Sequence, residues 1–224
     1  MAAHESLDGL LRVAIVDGSD PSFEAYGRVG ALAVHHFRDY MAGARDIQLP
    51  DAPDPRGQLD NTRSVSCWLA GRCPEEYLAI FNSTQWLEHD EIVMGLGYTR
   101  LPAAKRTLIA VLAGNQGAWV RLSAARTLRH LPGGDTVRAL LGAIDDPEYL
   151  VQYQAIESLG IVGDRAALDR LKSLIGSSNR GIALAAADSV KRLAERFGSD
   201  EGRAPSKRSA RWRARWRRRA SRTR

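Results

Sequence analysis

An apolar pattern that recurs every 31 residues between Trp119 and Phe197 constrains this chain more than any other feature. Within each copy the apolar residues follow the offsets i, i+4, i+8 and i+11, which trace one face of an α-helix. The sequence therefore predicts three equivalent inner helices, at about 119–131, 150–161 and 181–196. Their apolar faces comprise Val120, Ala124, Leu128 and Leu131; Val151, Ala155, Leu159 and Val162; and Ile182, Ala186, Val190 and Leu193.

A second apolar set alternates with the first and predicts the helices that lie between the inner ones. It comprises Val137, Leu140 and Ile144, followed by Leu168, Leu171 and Ile175. Glycine can end one helix and Asp can cap the next, so the turn at Gly133, Gly134 and Asp135 separates two helices. One helix pair cannot bury its apolar face alone, and neighbouring pairs must stack. We therefore predict an all-α fold, an α-solenoid of helix pairs.

The segment from Val151 to Asp164 carries a family resemblance. It reads Val-Gln-Tyr-Gln-Ala-Ile-Glu-Ser-Leu-Gly-Ile-Val-Gly-Asp, and it resembles the inner helix of short HEAT-like repeats of bacterial HEAT proteins and phycobilin-lyase-like proteins. The resemblance implies a curved α-solenoid of HEAT-like helix pairs with a concave binding surface. It implies no catalytic residue, because a fold alone does not define a function.

Composition divides the chain into four predicted parts. Proline and aspartate crowd one early stretch, which predicts a loop, and basic residues crowd the C-terminal end. The parts are N-terminal capping helices over 1–43, a Pro/Asp-rich loop over 44–61, a HEAT-like repeat solenoid over 62–198, and a linker with an Arg/Trp-rich, disordered tail over 199–224. Helices outside the three equivalent ones are predicted at about 5–16, 21–41, 62–70, 74–81, 87–96 and 103–113.

The formal net charge of +6 conceals two regions of opposite sign. Residues 203–224 hold eleven of the 32 Lys and Arg residues and no Asp or Glu. The first 202 residues therefore hold 21 basic against 26 acidic residues, a net charge of −5. A solenoid that grips a nucleic-acid backbone along its groove is more often basic itself, so the acidic body argues against such a groove.

The basic tail is the first candidate binding site. Arginine presents paired donors that suit phosphate, and tryptophan can stack on unpaired bases or lie at a lipid headgroup interface. The tail is therefore predicted to contact nucleic acid or another anionic partner, such as a membrane surface. A solvated tail and a tail that folds back on the acidic body remain alternatives. The residues are Arg211, Trp212, Arg213, Arg215, Trp216, Arg217, Arg218 and Arg219.

The polar side of the inner helices is the second candidate site. Mixed polar side chains beside the apolar columns suit recognition of a protein segment, and an ordinary solvated face is the alternative. Trp119, Tyr149 and Tyr153 cluster near the starts of two inner helices and predict either repeat-joint residues or the mouth of a groove. The predicted groove residues are Arg121, Arg129, Gln152, Tyr153, Glu157 and Lys191.

The remaining side chains that could react or bind a metal ion match no complete motif. Cys67 and Cys73 are too few for a disulfide framework or a zinc site and are predicted to be small core residues. The pair His35-His36 and the triplet His89-Asp90-Glu91 are predicted to lie on polar helix faces. No catalytic residue, metal or cofactor is predicted. No apolar run approaches the roughly 20 residues that cross a bilayer, and no secretory signal is visible, so we predict a cytoplasmic protein of undetermined oligomeric state.

These features favour a non-enzymatic interaction scaffold, with a protein partner in the groove and an anionic partner on the tail. Two alternatives follow from the resemblance. One is a HEAT-like alkylpurine DNA glycosylase, in which Asp188 would lie beside Trp119 and Tyr153. The other is a bilin lyase or isomerase-like protein that binds a tetrapyrrole in the groove.

Overall fold

The computed structural model describes residues 6–44, 46, 47, 49, 55–83 and 85–201, with the side chains of 55, 56 and 199–201 left aside. Within these ranges the chain forms twelve α-helices and no strand. They are α1 (Leu7–Asp17), α2 (Asp20–Gly27), α3 (Ala31–Met41), α4 (Pro55–Arg72), α5 (Pro74–Phe81), α6 (Asp90–Tyr98), α7 (Pro102–Ala113), α8 (Ala118–Leu128), α9 (Gly134–Ala143), α10 (Tyr149–Val162), α11 (Arg165–Leu174) and α12 (Arg180–Glu201).

The helices form two layers. In the inner layer, α1, α4, α6, α8, α10 and α12 each pack against the next helix in this series. The helices α3, α5, α7, α9 and α11 form the outer layer, and α2 packs against α1 and α4. The predicted all-α solenoid is therefore confirmed.

The predicted apolar columns form the core between the layers. All twelve members of the three inner columns are buried except Val162 and Val190, which are half-buried. In the second set, Ile175 is 45% exposed, because α11 is the last described outer helix and nothing packs over its end. Residues that lie 31 positions apart therefore occupy equivalent packing positions in successive units.

The inner helices approach one another through small residues at equivalent positions. Ser158 Oγ donates a hydrogen bond of 2.9 Å to the Ala125 carbonyl, and Ser189 Oγ donates one of 3.0 Å to the Ile156 carbonyl. Donors and acceptors are both 31 residues apart, so the same contact joins α8 to α10 and α10 to α12. A Cβ atom on Gly160 would lie 2.6 Å from Ser189 Oγ, which shows how close the two helices are.

Three helix boundaries differ from the predictions. The predicted helix 21–41 is interrupted, because Gly30 has φ 59° and ψ −128°, a conformation that suits glycine. The predicted loop 44–61 is wrong from Pro55 onward, where α4 begins; proline is tolerated in a first helical turn, where its missing N–H has no intrahelical partner. Helix α12 continues to Glu201, into the predicted linker. The rest of the tail lies outside the described residues.

The prediction that the histidine pair lies on a polar helix face is wrong for His36. It is buried, and its Nδ1 lies 2.9 Å from Tyr26 Oη while its Nε2 lies 2.8 Å from Asp8 Oδ1. The imidazole therefore ties α1, α2 and α3 together. Both cysteines are free; Cys67 is buried, as predicted, and Cys73 is half-buried.

Candidate functional site

The side of the inner layer that faces away from the outer layer carries exposed apolar side chains; we call it the inner face. Trp119 is 68% exposed, Leu184 57%, Tyr98 50%, and Leu150 and Ile161 45% each. Among the described residues, the outer helices α5, α7, α9 and α11 expose to a comparable extent only Ile175, at the end of α11, whereas the outer helix α3 exposes Leu32 to 58%. The apolar surface of the repeats is therefore concentrated on the inner face.

The inner face is built from equivalent positions on successive helices, 31 residues apart, or 32 from α6 to α8. Each set of equivalent positions forms a row that crosses the inner helices. Tyr98 and His130 are neighbours in one row, with ring centroids 6.4 Å apart. The rows are Tyr98, His130, Ile161 and Arg192; Trp119 and Leu150; Leu122, Tyr153 and Leu184; and Arg126, Glu157 and Asp188.

The charge of the inner face changes from positive on α8 to mixed on α10 and α12. On α8 and the turn after it, burial together with the charges of Arg129 and Arg126 lowers the pKa of His130. On α10, the charge of Glu157 raises the pKa of Tyr153, and burial adds to this effect. The α8 end of the inner face is therefore positive, and the α10 and α12 end carries Glu157 and Asp188 together with Arg192.

Arg121 and Gln152 serve the joint between units and not the inner face. Arg121 donates from Nε and Nη2 to the two carboxylate oxygens of Asp146, each at 2.8 Å, and from Nη1 to the Gln116 carbonyl. The Arg121 and Asp146 side chains are only 12% and 7% exposed. Gln152 Nε2 donates to the Asp146 carbonyl at 2.6 Å. This placement corrects the prediction that both residues line the groove.

The other four predicted groove residues divide between two places. Tyr153 and Glu157 lie on the inner face, with Tyr153 Oη 3.5 Å from Glu157 Oε1. Arg129 Nε donates to His130 Nε2 at 3.1 Å, at the edge of the inner face. Lys191 is exposed at the α12 position equivalent to Gly160; because Gly160 faces the following inner helix, Lys191 lies on the terminal side of α12.

The predicted aromatic cluster is only partly formed. The rings of Tyr149 and Tyr153 lie 6.1 Å apart, and the Tyr149 hydroxyl lies against Gly181 of α12. Trp119 lies one unit earlier, on α8. Asp188 lies on α12, with α10 between it and Trp119, so the residues invoked for a glycosylase site are not gathered in one place.

Sequence reasoning does not identify Leu150, Ile161 and Leu184 as inner-face residues. They are apolar, and an apolar residue on a predicted helix looks the same in the sequence whether it is exposed or buried. Applying the 31-residue spacing to Trp119 and His130 leads directly to Leu150 and Ile161. The 31-residue spacing of these residues is visible in the sequence, but only their exposure in the structure distinguishes them from core residues.

Metal clusters and membrane-spanning helices are both absent from the part of the chain that the structure describes. These residues hold no group of three or more His, Cys, Asp or Glu side chains arranged to bind a metal ion. None of the described helices has the length and apolar character required to cross a bilayer. The predicted tail residues 211–219 lie outside the described residues.

Comparison with known families agrees with this geometry. Residues 106–191 match the family described as HEAT repeats. The match begins within α7 and ends within α12, the part of the solenoid with the regular 31-residue spacing. Over these residues the chain is therefore similar to HEAT repeats. No curated protein is similar enough to the chain to be matched with it.

Proposed function

We propose that the protein is a non-enzymatic interaction scaffold whose inner face binds a segment of a partner protein. The observation that carries this proposal is the concentration of uncovered apolar side chains on the inner face, above all Trp119, Leu150, Ile161 and Leu184. Contiguous exposed apolar surface with a polar surround is typical of protein-binding sites. HEAT repeats typically mediate interactions between proteins, which supports the same function.

The composition of the inner face also supports a protein segment as the ligand. Aromatic residues such as Trp119 and Tyr98 are the side chains that most often dominate binding energy at protein interfaces. Arg126 on one side and Glu157 on the other offer polar contacts of both signs. Such charges select the partner and fix its register more than they add to the affinity.

A photo-reactive amino acid tests this function in the cell that makes the protein. Leu150 and Ile175 are matched positions, because both are 45% exposed and lie on the inner face and outer layer respectively. We expect benzoylphenylalanine at position 150 to cross-link one protein through one defined segment, as identified by mass spectrometry. The same residue at position 175 should not capture that segment. Equal capture at both positions would contradict the proposed docking face.

We also propose that the Arg/Trp-rich tail contacts nucleic acid or another anionic partner, supported by eleven basic residues without an acid over 203–224. Replacing the six arginines from Arg211 to Arg219 with glutamine should change the binding of single-stranded DNA. The slope of log affinity against log salt concentration should become shallower by up to about 4. The measurement is fluorescence anisotropy with labelled oligothymidine across a salt series. Replacing Trp212 and Trp216 with alanine should weaken binding but keep the slope. An unchanged slope in the arginine variant would exclude the tail as the anchor.

The division of the chain follows from these two roles. We propose that residues 1–43 cap the solenoid, that residues 62–198 form the docking unit, and that residues 199–224 form the linker and the tail. We further propose that the protein acts in the reducing cytoplasm, which is supported by the free state of Cys67 and Cys73.

A further inference from the structure

We propose that one corner of the inner face is the subsite for an acidic segment of the partner protein. This inference rests on the proposed function and specifies the chemistry of the ligand. The corner lies where the turn between α6 and α7 meets the turn between α8 and α9. Its cationic residues, which we call the cationic corner, are Arg100, Lys105, Arg106, Arg126, Arg129 and His130.

A surface cavity of about 530 Å³ lies at this corner. Arg100, Arg106 and His130 line it, together with Lys105 and Asp135. The row formed by Tyr98 and His130 connects the cavity to the inner face, because His130 belongs to both. A segment that lies along the inner face can therefore place an acidic side chain in the cavity.

The positive charge of the corner is largely uncompensated. Lys105 is already engaged, since its Nζ donates to Asp135 Oδ1 at 2.5 Å and to the Pro132 carbonyl at 3.2 Å. The guanidinium groups of Arg100, Arg106 and Arg126 have no hydrogen bond or ion pair with any described residue. By contrast, Arg38, Arg63, Arg121 and Arg170 all form ion pairs. The guanidinium groups of Arg100 and Arg106 at the cavity, and that of Arg126 near His130, are therefore available to carboxylates.

Helix geometry explains how the free protein tolerates this cluster of charge. Helices α6 and α8 end at Tyr98 and Leu128, and the partial negative charge at helix C-termini attracts nearby cations. Arg100 itself has φ 55°, the only positive φ of a non-glycine residue in the described part of the chain. Such a conformation is strained for an L-residue and is often retained at binding sites.

His130 is the group at the corner whose protonation should respond to a bound carboxylate. Its Nε2 accepts a hydrogen bond from Arg129 Nε at 3.1 Å, which requires that this nitrogen carry no proton. The other charged or titratable groups around it are Arg126, Arg100, Lys105, Arg106, Tyr98 and Asp135, and Asp135 already pairs with Lys105. A bound carboxylate would accept the hydrogen bond from Arg129 Nε instead, and its negative charge would favour protonation of His130. The pKa of His130, now lowered by burial and by two arginines, would then rise.

The surroundings favour an acidic peptide over a nucleic-acid backbone. A continuous run of phosphates needs a positive stripe along its path. Here Glu157 and Asp188 interrupt the positive charge on the inner face beyond the corner, and residues 1–100 hold 15 acidic against 8 basic residues, a net charge of −7. Tyr98 and Ile161 offer apolar contacts beside the corner, which suit a segment that mixes acidic and apolar side chains.

The His130 ring provides a local test in the full-length chain, where the basic tail could also bind an anionic probe. We would follow the ring protons of His130 by NMR from about pH 7.5 to 5.5, with and without a hexaglutamate peptide. The peptide is expected to raise the pKa of His130 and, at any one pH, to leave the ring signals of His89 where they are without peptide. It should bind more tightly as the pH falls, because its binding favours protonated His130.

Paired variants separate this subsite from general attraction. Replacing both Arg100 and Arg126 with glutamine should raise the dissociation constant of hexaglutamate, measured from the His130 signals, by about tenfold. The control replaces Arg12 and Arg28, which are exposed near α1 and likewise free of partners, and should have no such effect. If the peptide binds without moving His130, it binds the tail only and the subsite is refuted. If oligothymidine moves His130 as much as hexaglutamate does, the subsite belongs to nucleic acid and the proposal is also overturned.

This test and the cross-linking test fail independently. A partner captured at position 150 together with an unresponsive His130 would leave the docking face in place and remove the acidic subsite. If His130 responds to the peptide but position 150 captures no specific segment, the acidic subsite stands and the docking face is contradicted.

Discussion

Replacing Arg121 with methionine is expected to lower the free energy of unfolding by about 3–5 kcal/mol. The substitution removes one member of a buried ion pair and leaves the Asp146 carboxylate, only 7% exposed, without its main partner. The carbonyl of Gln116 loses its donor as well. An uncompensated buried charge is more costly than the loss of the attraction itself, which explains the size of the effect.

A neighbouring surface pair provides the control. Arg170 and Asp145 also form an ion pair of 2.8 Å across 25 residues, but their side chains are 42% and 71% exposed. Replacing Arg170 with methionine should change stability by less than about 1 kcal/mol. Urea denaturation followed by circular dichroism measures both variants. Equal losses would mean that the Arg121 pair is not a structural joint.

The effect of the Arg121 substitution should depend on pH in a defined direction. Burial alone would raise the pKa of Asp146, but hydrogen bonds from Arg121 and from the Glu148 N–H hold it below its usual value. A carboxyl group with a lowered pKa in the folded state contributes stability above its unfolded pKa. That contribution is lost as the pH falls through the folded pKa. In the variant, burial without Arg121 should instead raise the pKa of Asp146. The difference between wild type and variant should therefore be full at neutral pH and shrink progressively as the pH falls through the raised pKa of the variant towards the lowered pKa of the wild type.

Gly160 should be the other position with a large effect. Replacing it with alanine is expected to cost about 1–3 kcal/mol, as for overpacking of a close-packed core. Its Cβ would lie 2.6 Å from Ser189 Oγ, 2.8 Å from Ser189 Cβ and 3.0 Å from Ser189 Cα. Backbone of α12 must therefore move, and the hydrogen bond from Ser189 to the Ile156 carbonyl is strained.

Gly142 in α9 is the matched control for Gly160. Both glycines lie in helices, but a Cβ on Gly142 would meet nothing within 4 Å. Replacing Gly142 with alanine should therefore stabilise the protein by about 0.5–1 kcal/mol, because alanine loses less backbone entropy in a helix. Thermal or urea unfolding of both variants should show opposite signs. A gain in stability for the Gly160 variant would contradict the close approach of α10 and α12.

The repeat architecture could be predicted because each unit repeats the same core positions. Val151, Ala155 and Leu159 occupy equivalent positions to residues one unit away, and the 31-residue spacing carries this information without any tertiary contact. The N-terminal region lacks that regularity. The break at Gly30 and the helix start at Pro55 depend on local backbone conformation, which composition alone describes poorly.

The candidate site was only partly predictable for a different reason. Tyr153 and Glu157 were identified as groove residues and lie on the inner face. Arg121 has the same polar character, but its direction is decided by Asp146, 25 residues later in the chain. Ile161 was missed because an exposed isoleucine and a buried one look alike in a sequence. Only the packing of neighbouring helices separates them.

The most direct test of the docking face compares Ile161→Asp with Ile175→Asp. Both isoleucines are 45% exposed, so both variants should fold with similar melting temperatures. The measurement is the dissociation constant of each variant for the segment cross-linked at position 150, by isothermal titration calorimetry. We expect Ile161→Asp to weaken binding about tenfold or more and Ile175→Asp to leave it unchanged. Equal affinities in the two variants would contradict a docking role for the inner face.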